Sequence, residues 1–353
     1  MSQKTIWRIL TSAVAAALLA AAIAAGCGHK AETENKAEAD SEIVAVVPSD
    51  GKSVIASLIS EYENVNDDSE IKFINIGGTD EEVYRLCVSM LLDKKFSADV
   101  LIIDDTWLST FADEGLVSEI TDINDGVFIP AARRAMTFKD KIYGIPIYAD
   151  AMTSFEKYES SSGETVYLEK DASDMAAHIR SGINSGLSLS KAHRAYAEAP
   201  KCKAVGEFID GDAGKLRAWV SCLDDIQKGY PRAAVNMKIK LENNALVRTK
   251  VAVINNESRL YGKALKLIEY LLSDDSQRKI MSEMPGVPVM KKNYGDVFTA
   301  DRITYIEDVD GEKFCTFPFA VNFYENELRL TEAAENNASY SETERLLKYI
   351  ANP

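Results

Sequence analysis

The chain has 353 residues, 46% of them hydrophobic, which is enough for a proper core and leaves room for two domains of ordinary size. Its formal net charge is −15 at pH 7, and no basic cluster interrupts that balance. Such a surface repels phosphate backbones and anionic lipid, so nucleic-acid binding is excluded.

Lys4 and Arg8 form a short basic start, and Ile9 to Ala25 is almost wholly apolar. Ala24, Ala25 and Gly26 then place small side chains ahead of Cys27. A basic start, an apolar stretch and small residues before a cut mark a secretory signal. The stretch is short for a bilayer span, which takes about 20 apolar residues. The cysteine directly after the small residues resembles the lipobox of bacterial lipoproteins, although Ala24 stands where Leu is commoner. That resemblance implies a signal over residues 1–26 and lipid attachment at Cys27; the competing reading is an ordinary cleaved signal. Residues 27–41 read as a spacer, with Glu32, Glu34, Lys36, Glu38 and Asp40 and no large apolar residue to bury. The folded body is therefore expected at the cell surface or in the periplasm, held to the membrane through the anchor.

From there the pattern alternates. Ile43–Val47 is a continuous β-branched run of the kind buried on both faces of a parallel sheet. Val54, Leu58, Ile59 and Tyr62 fall at helical spacing, and Ile71–Ile76 predicts a second strand closed by Gly77 and Gly78. Thr79 and Glu82 form a capping box ahead of a helix with Val83, Leu86, Cys87, Met90 and Leu91 on one face. Val100–Ile103 predicts a third strand. Strand, helix, strand, helix, strand is the order of an α/β lobe, whose ligands bind beyond the carboxyl ends of the strands. That rule puts Gly77, Gly78, Thr79, Asp104, Asp105 and Trp107 near a candidate site.

Lys141–Asp150 reads as a short strand in which Pro146 suits an edge or a crossing segment. Glu159–Glu164 is polar and serine-rich. Asp174–Ile183 and Lys215–Ile226 look helical, and Val247–Ile254 looks like a strand. Ala264, Leu265, Ile268, Leu271 and Leu272 make a helical stripe, broken later by Pro285–Pro288. Phe314–Tyr324 is rich in aromatics, and Ser341 with Glu344 announces a last helix.

Three of these segments together resemble the extracellular solute-binding proteins of sugar-type ABC importers, family 1. Ala98–Leu108 with Phe111–Leu116 is similar to that family's Ala-Asp strand, Trp and Phe-Ala-x-x-Gly-Leu segment. Lys141–Pro146 with Tyr148 and Asp150 is similar to its Lys-x-Tyr-Gly-x-Pro strand. Ala264–Gln277 is similar to its Ala-to-Gln helix, and Gly286–Val289 to its Gly-x-x-Pro turn, which here reads Gly-Val-Pro. The resemblance covers about residues 42–150 and 250–353. The cleft-lining Gly-x-Ala-Ala-Met segment expected between them is absent. The resemblance implies an α/β, two-lobed, periplasmic-binding-protein-like fold of type II, with the ligand cleft between lobes. The first lobe would take residues 42–149 and 251–286, the second 150–250 and 287–353. It further implies a monomer that closes on a small solute, a carbohydrate above all, and hands it to ABC permease subunits. Alternatives are a sensing or structural binding lipoprotein of the same fold, and a secreted carbohydrate-active enzyme.

Sugar sites pair aromatic faces with amides and carboxylates. Asp105, Trp107, Tyr148, Asp150, Phe319 and Tyr324 are the candidate ligand contacts on that ground. Against each stands a structural role: core packing for Trp107, Phe317, Phe319, Phe323 and Tyr324, and helix capping for Asp104 or Asp105. Trp219 falls in the least legible stretch. No catalytic residue, cofactor or metal site is expected. His29 lies in the spacer, His178 and His193 read as surface helical positions, and no nucleophile elbow, metalloprotease helix or phosphate loop is present. Asp224–Asp225 and Asp274–Asp275 read as solvated helix ends. Cys87 reads as buried, and Cys202 and Cys222 could pair outside the cytoplasm, which spacing alone cannot decide.

Overall fold

The computed structural model describes residues 42–48, 52–66, 70–93, 97–121, 123–160, 162–169, 172–241, 244–294, 311–316 and 323–335, with Leu346 and Lys348. The spacer, Cys27, Phe317, Phe319 and the Ser341–Glu344 capping box lie outside them. The chain divides into two compact units. One takes the described residues up to Ile102 with Ile254–Leu267; the other takes Ile103–Val253 and the described residues from Ile268 on.

In chain order the first elements are β1 (Glu42–Pro48), α1 (Lys52–Val65), β2 (Glu70–Ile76), α2 (Asp80–Leu92) and β3 (Val100–Asp104). β1 runs parallel to β2 along its whole length and parallel to β3. The apolar run expected to be buried on both faces is buried, with Ile43, Ala45, Val46 and Val47 at 1% exposure or less. The Thr79 hydroxyl accepts the Glu82 N–H at 3.3 Å while the Glu82 carboxylate accepts the Thr79 N–H at 2.8 Å. Gly78 precedes this box at φ +137°, where a Cβ would run into the Glu82 carboxylate. Asp99 ties the unit together. Its carboxylate accepts the Val44 N–H at 2.9 Å and the Ser258 hydroxyl at 2.5 Å. Asn255 completes the knot by donating to the Ala98 carbonyl at 2.9 Å and the Ser97 hydroxyl at 2.8 Å. The Ala-Asp pair of the sequence motif is thus a fastening.

The second unit contains α3 (Asp105–Asp113), α4 (Pro130–Ala135), the hairpin β4 (Thr137–Phe138) and β5 (Lys141–Ile142), and β6 (Ile145–Lys157). Next come β7 (Thr165–Leu168), α5 (Ala172–Asn184), α6 (Leu189–Glu198), β8 (Lys201–Cys202), α7 (Val205–Asp210), β9 (Lys215–Trp219), α8 (Cys222–Gly229), α9 (Pro231–Ala234) and β10 (Met237–Lys240). β11 (Leu246–Ile254), α11 (Asp274–Glu283), β12 (Cys315–Thr316) and α12 (Phe323–Glu335) close the series, and α10 (Tyr261–Leu271), between β11 and α11, belongs to the first unit up to Leu267. β6 organises this unit. It runs antiparallel to β11 over its first half and to β9 and β10 over its second, and β9 continues in parallel to β7 and then β8.

Several expectations change here. Lys141–Asp150 is no short edge piece: most of it belongs to the thirteen-residue β6. Pro146 is tolerated because it pairs with Val251 where the β6–β11 register slips, a bulge that does not need its missing N–H. Lys215–Ile226 is a strand followed by a helix. Lys215, Arg217 and Trp219 alternate with the buried Leu216 and Ala218, a period of two. His178 is not a surface residue but 6% exposed. Cys202 and Cys222 form no disulfide with each other and are buried in one core cluster with Phe155, Phe208, Leu216 and Ile226. Gln277, the last residue of the Ala-to-Gln motif, is a buried clamp that donates to the Ile147 carbonyl at 3.0 Å and the Leu271 carbonyl at 2.9 Å. Among the described residues, no helix is long and apolar enough to cross a membrane.

Candidate functional site

Three strands of the second unit bring polar and aromatic side chains to one sheet face. Directly opposed residues of antiparallel strands point the same way. Tyr148 opposes Lys250, Asp150 opposes Arg248, and Met152 opposes Trp219. Tyr148 and Asp150, proposed from the motif alone, are therefore neighbours of two cations and a tryptophan that sequence reasoning did not place there. The signal was present: Arg248 and Lys250 sit two apart in an otherwise apolar strand, a spacing that puts both on one face.

Two acids from outside these three strands meet the cations. Asp104, at the end of β3, lies 3.6 Å from the Arg248 Nε and 3.6 Å from the Lys250 Nζ. Glu327, on α12, takes the Arg248 Nη2 at 3.2 Å. The Arg248 guanidinium also faces the Trp219 ring, 5.5 Å from its centroid. The Trp219 indole N–H in turn donates to Asp174 at 2.9 Å, in the first turn of α5. Asp150 accepts the N–H groups of Ala151 at 2.8 Å and Ser221 at 3.1 Å, which fastens β6 to the turn after β9.

The adjacent acids at the start of α3 have opposite fates. Asp104 is the N-cap: its carboxylate accepts the Thr106 N–H at 3.2 Å and hydroxyl at 2.9 Å. Burial alone would raise its pKa, but Arg248 and Lys250, with the Thr106 bonds, outweigh that and hold it below the ordinary carboxylate range. Asp105 is fully buried, and its Oδ2 accepts the Thr249 N–H at 2.7 Å while Oδ1 has no hydrogen-bond partner. Burial, and then the charge of Asp104 beside it, push its carboxyl well above the ordinary range. The cations thus favour the charged form of Asp104, while burial and the charge of Asp104 disfavour the charged form of Asp105.

Trp107 and Tyr324 are brought together, but into the core. Each is 3% exposed, and their rings meet at 5.5 Å between centroids with Phe111 behind Trp107 at 6.5 Å. Phe319 and Phe317 lie outside the described residues, and Phe323 is fully buried. Among the described residues, no group of three or more His, Cys, Asp and Glu is placed to hold a metal ion. Carboxylates, a half-buried indole and Tyr148, itself buried at 8% exposure, share one sheet face and have the chemistry to accept from and donate to hydroxyls and to cover an apolar ring face.

No protein-family model matches the chain, and no curated protein matches it in sequence. Solved structures do. Maltose-bound MalE3 of T. maritima superposes with a TM-score of 0.71 at 17% identity, covering 88% of this chain and 98% of that one. The sugar-binding protein MalE from Xanthomonas citri gives 0.69 at 14% identity, covering 88% and 96%. The ABC substrate-binding protein Lmo0181 from Listeria monocytogenes, in complex with cycloalternan, gives 0.66 at 12% identity, covering 88% and 97%. The chain therefore has the two-lobed α/β periplasmic-binding-protein fold.

Proposed function

We propose that this chain is an extracytoplasmic binding lipoprotein that captures a small neutral carbohydrate and passes it to the permease of an ABC importer, without chemistry of its own. The observation that carries this reading is the sheet face of Tyr148, Asp150, Trp219, Arg248 and Lys250. Its cations are already engaged by Asp104 and Glu327, which suits a ligand of hydroxyls better than one with a charge to neutralise. The sugar-binding neighbours in fold support the same ligand class. Cys27 is proposed as the lipid anchor; radiolabelled palmitate should enter the chain, and its persistence in Cys27→Ser would remove that claim.

A thermal-shift screen of mono- and oligosaccharides, amino acids, peptides and polyamines tests the ligand class. Ligand at a hundredfold excess over its Kd protects by about 2.7 kcal/mol, which such a screen detects. A saccharide should raise the melt, and Trp219→Ala should lose that response while remaining folded. A response to amino acids or polyamines alone overturns the carbohydrate reading.

A further inference from the structure

Helix α5 carries two buried polar residues four positions apart, Asp174 and His178, and so on one face. Asp174 holds the Trp219 indole at the sheet face described above. His178, one turn on, packs against two tyrosines that also meet each other, 6.4 Å between ring centroids. Its ring lies 4.6 Å from that of Tyr167 on β7 and 6.2 Å from that of Tyr196 on α6, stacked at 20° to the latter. Its Nε2–H donates to the Leu168 carbonyl at 2.8 Å. The other ring nitrogen, Nδ1, is buried without a hydrogen-bond partner.

The charged groups around this ring make it a poor home for a proton. Lys201, on β8, places its ammonium 4.5 Å over the Tyr196 ring. Arg217, on β9, reaches the Ser181 hydroxyl on the same helix. Two carboxylates lie nearby and both are engaged: Glu169 by the Tyr196 hydroxyl and by Lys203 at 2.8 Å, and Asp174, one turn back on α5, by the Trp219 indole. From α12, which also packs on α5, Phe323 and Leu330 bring only apolar surface to the shared core. A proton arriving from solvent at Nδ1 would create a buried cation with no acceptor and two cations for company.

We propose that α5 is an acid-operated latch on the ligand face, in which protonation of His178 drives its ring out of the cluster it forms with Tyr167 and Tyr196 and so releases Trp219 from its place beside Arg248. The neutral ring is held by burial, which lowers the His178 pKa to about 4, with the charges of Arg217 and Lys201 acting the same way and the Leu168 bond opposing them. A released ring regains the ordinary value of 6.5, so the closed latch is fully favoured above that pH and progressively opposed as pH falls from there towards 4. The consequence for ligand rests on the carbohydrate reading; the latch itself does not.

The test follows the indole N–H resonances of Trp107 and Trp219 in the ligand-free, nitrogen-15-labelled chain, with the His178 ring, from about pH 7.5 to about pH 4.5. Trp219 should respond with the midpoint of His178 while Trp107 stays fixed. His178→Gln, which can still donate to Leu168 and takes no proton, should abolish the Trp219 response; His178→Phe serves if that variant does not fold. A Trp219 response that survives the substitution, or is absent in the unaltered chain, overturns the latch. So does one that Trp107 shares, since that marks global unfolding. Where a saccharide binds at neutral pH, its affinity should fall on acidification to about pH 4.5 by up to about 80-fold in the unaltered chain and hold in His178→Gln. Failure of every saccharide to bind leaves the indole result standing, and failure of the indole result leaves binding at neutral pH standing.

Discussion

The two compact units bury different kinds of matter. In the first, the buried polar side chains are Asp99 and Asn255, and both are spent on backbone and hydroxyl groups that hold strands in place. In the second, Asp104, Asp105, Asp174, His178 and Glu327 are all buried, and four of the five meet another charged or aromatic side chain. Fastening a strand needs only saturated hydrogen bonds. A set of buried ions facing one another is dearer in desolvation than an apolar core of the same shape, so it is poorly explained by stability alone. The contrast separates a scaffold from a surface that has something to do.

The sharpest way to break this contrast is to remove one ion. Arg248→Ala leaves Asp104 and Glu327 buried without their shared partner, and should cost about 3–5 kcal/mol in urea unfolding. A loss below 1 kcal/mol would mean the network is wet and loosely held. In the first unit, Asp99→Ala removes a hydrogen-bond acceptor and should cost about 1–3 kcal/mol, with ligand binding unchanged once folding is restored by low temperature. Altered ligand affinity there would blur the division. The smallest effect has the opposite sign. Asp105 is held above its ordinary pKa of 3.8, so the unfolded chain releases that proton first and stability drains away as pH rises past that value. Asp105→Asn keeps an acceptor for the Thr249 N–H without the ionisation, and should raise the melting midpoint slightly at neutral pH and flatten its pH dependence. A lowered midpoint at neutral pH would show that Asp105 is charged.

Legibility followed the same division. β1, β2, β3 and the capped α2 could be read because parallel strands buried on both faces are unbroken apolar runs, and a capping box is written in four residues. The second unit writes its strands more faintly. Lys215–Trp219 is five residues long with cations on one face, and its alternation was overrun by the helical pattern that begins at Cys222. Tyr148 and Asp150 could be proposed because a motif carried them, whereas Arg248 and Lys250 join them through strand pairing with residues about 100 positions away, and Glu327 through an ion pair from a distant helix, neither of which a local pattern reports. His178 was misplaced for a related reason. Its burial depends on Tyr167 and Tyr196, which come from two other elements.

Gly286 gives the proposed ligand face a control that lies off it. Its Cα approaches the Ala149 carbonyl so closely that a Cβ would collide with that oxygen, which also accepts the Val287 N–H at 2.9 Å. Ala149 lies between Tyr148 and Asp150. Any side chain at position 286 must therefore push on the backbone between the two motif residues of β6, tilting both without altering either. A breeder of binding specificities, natural or in the laboratory, could retune this surface by a substitution that no map of contact residues would contain.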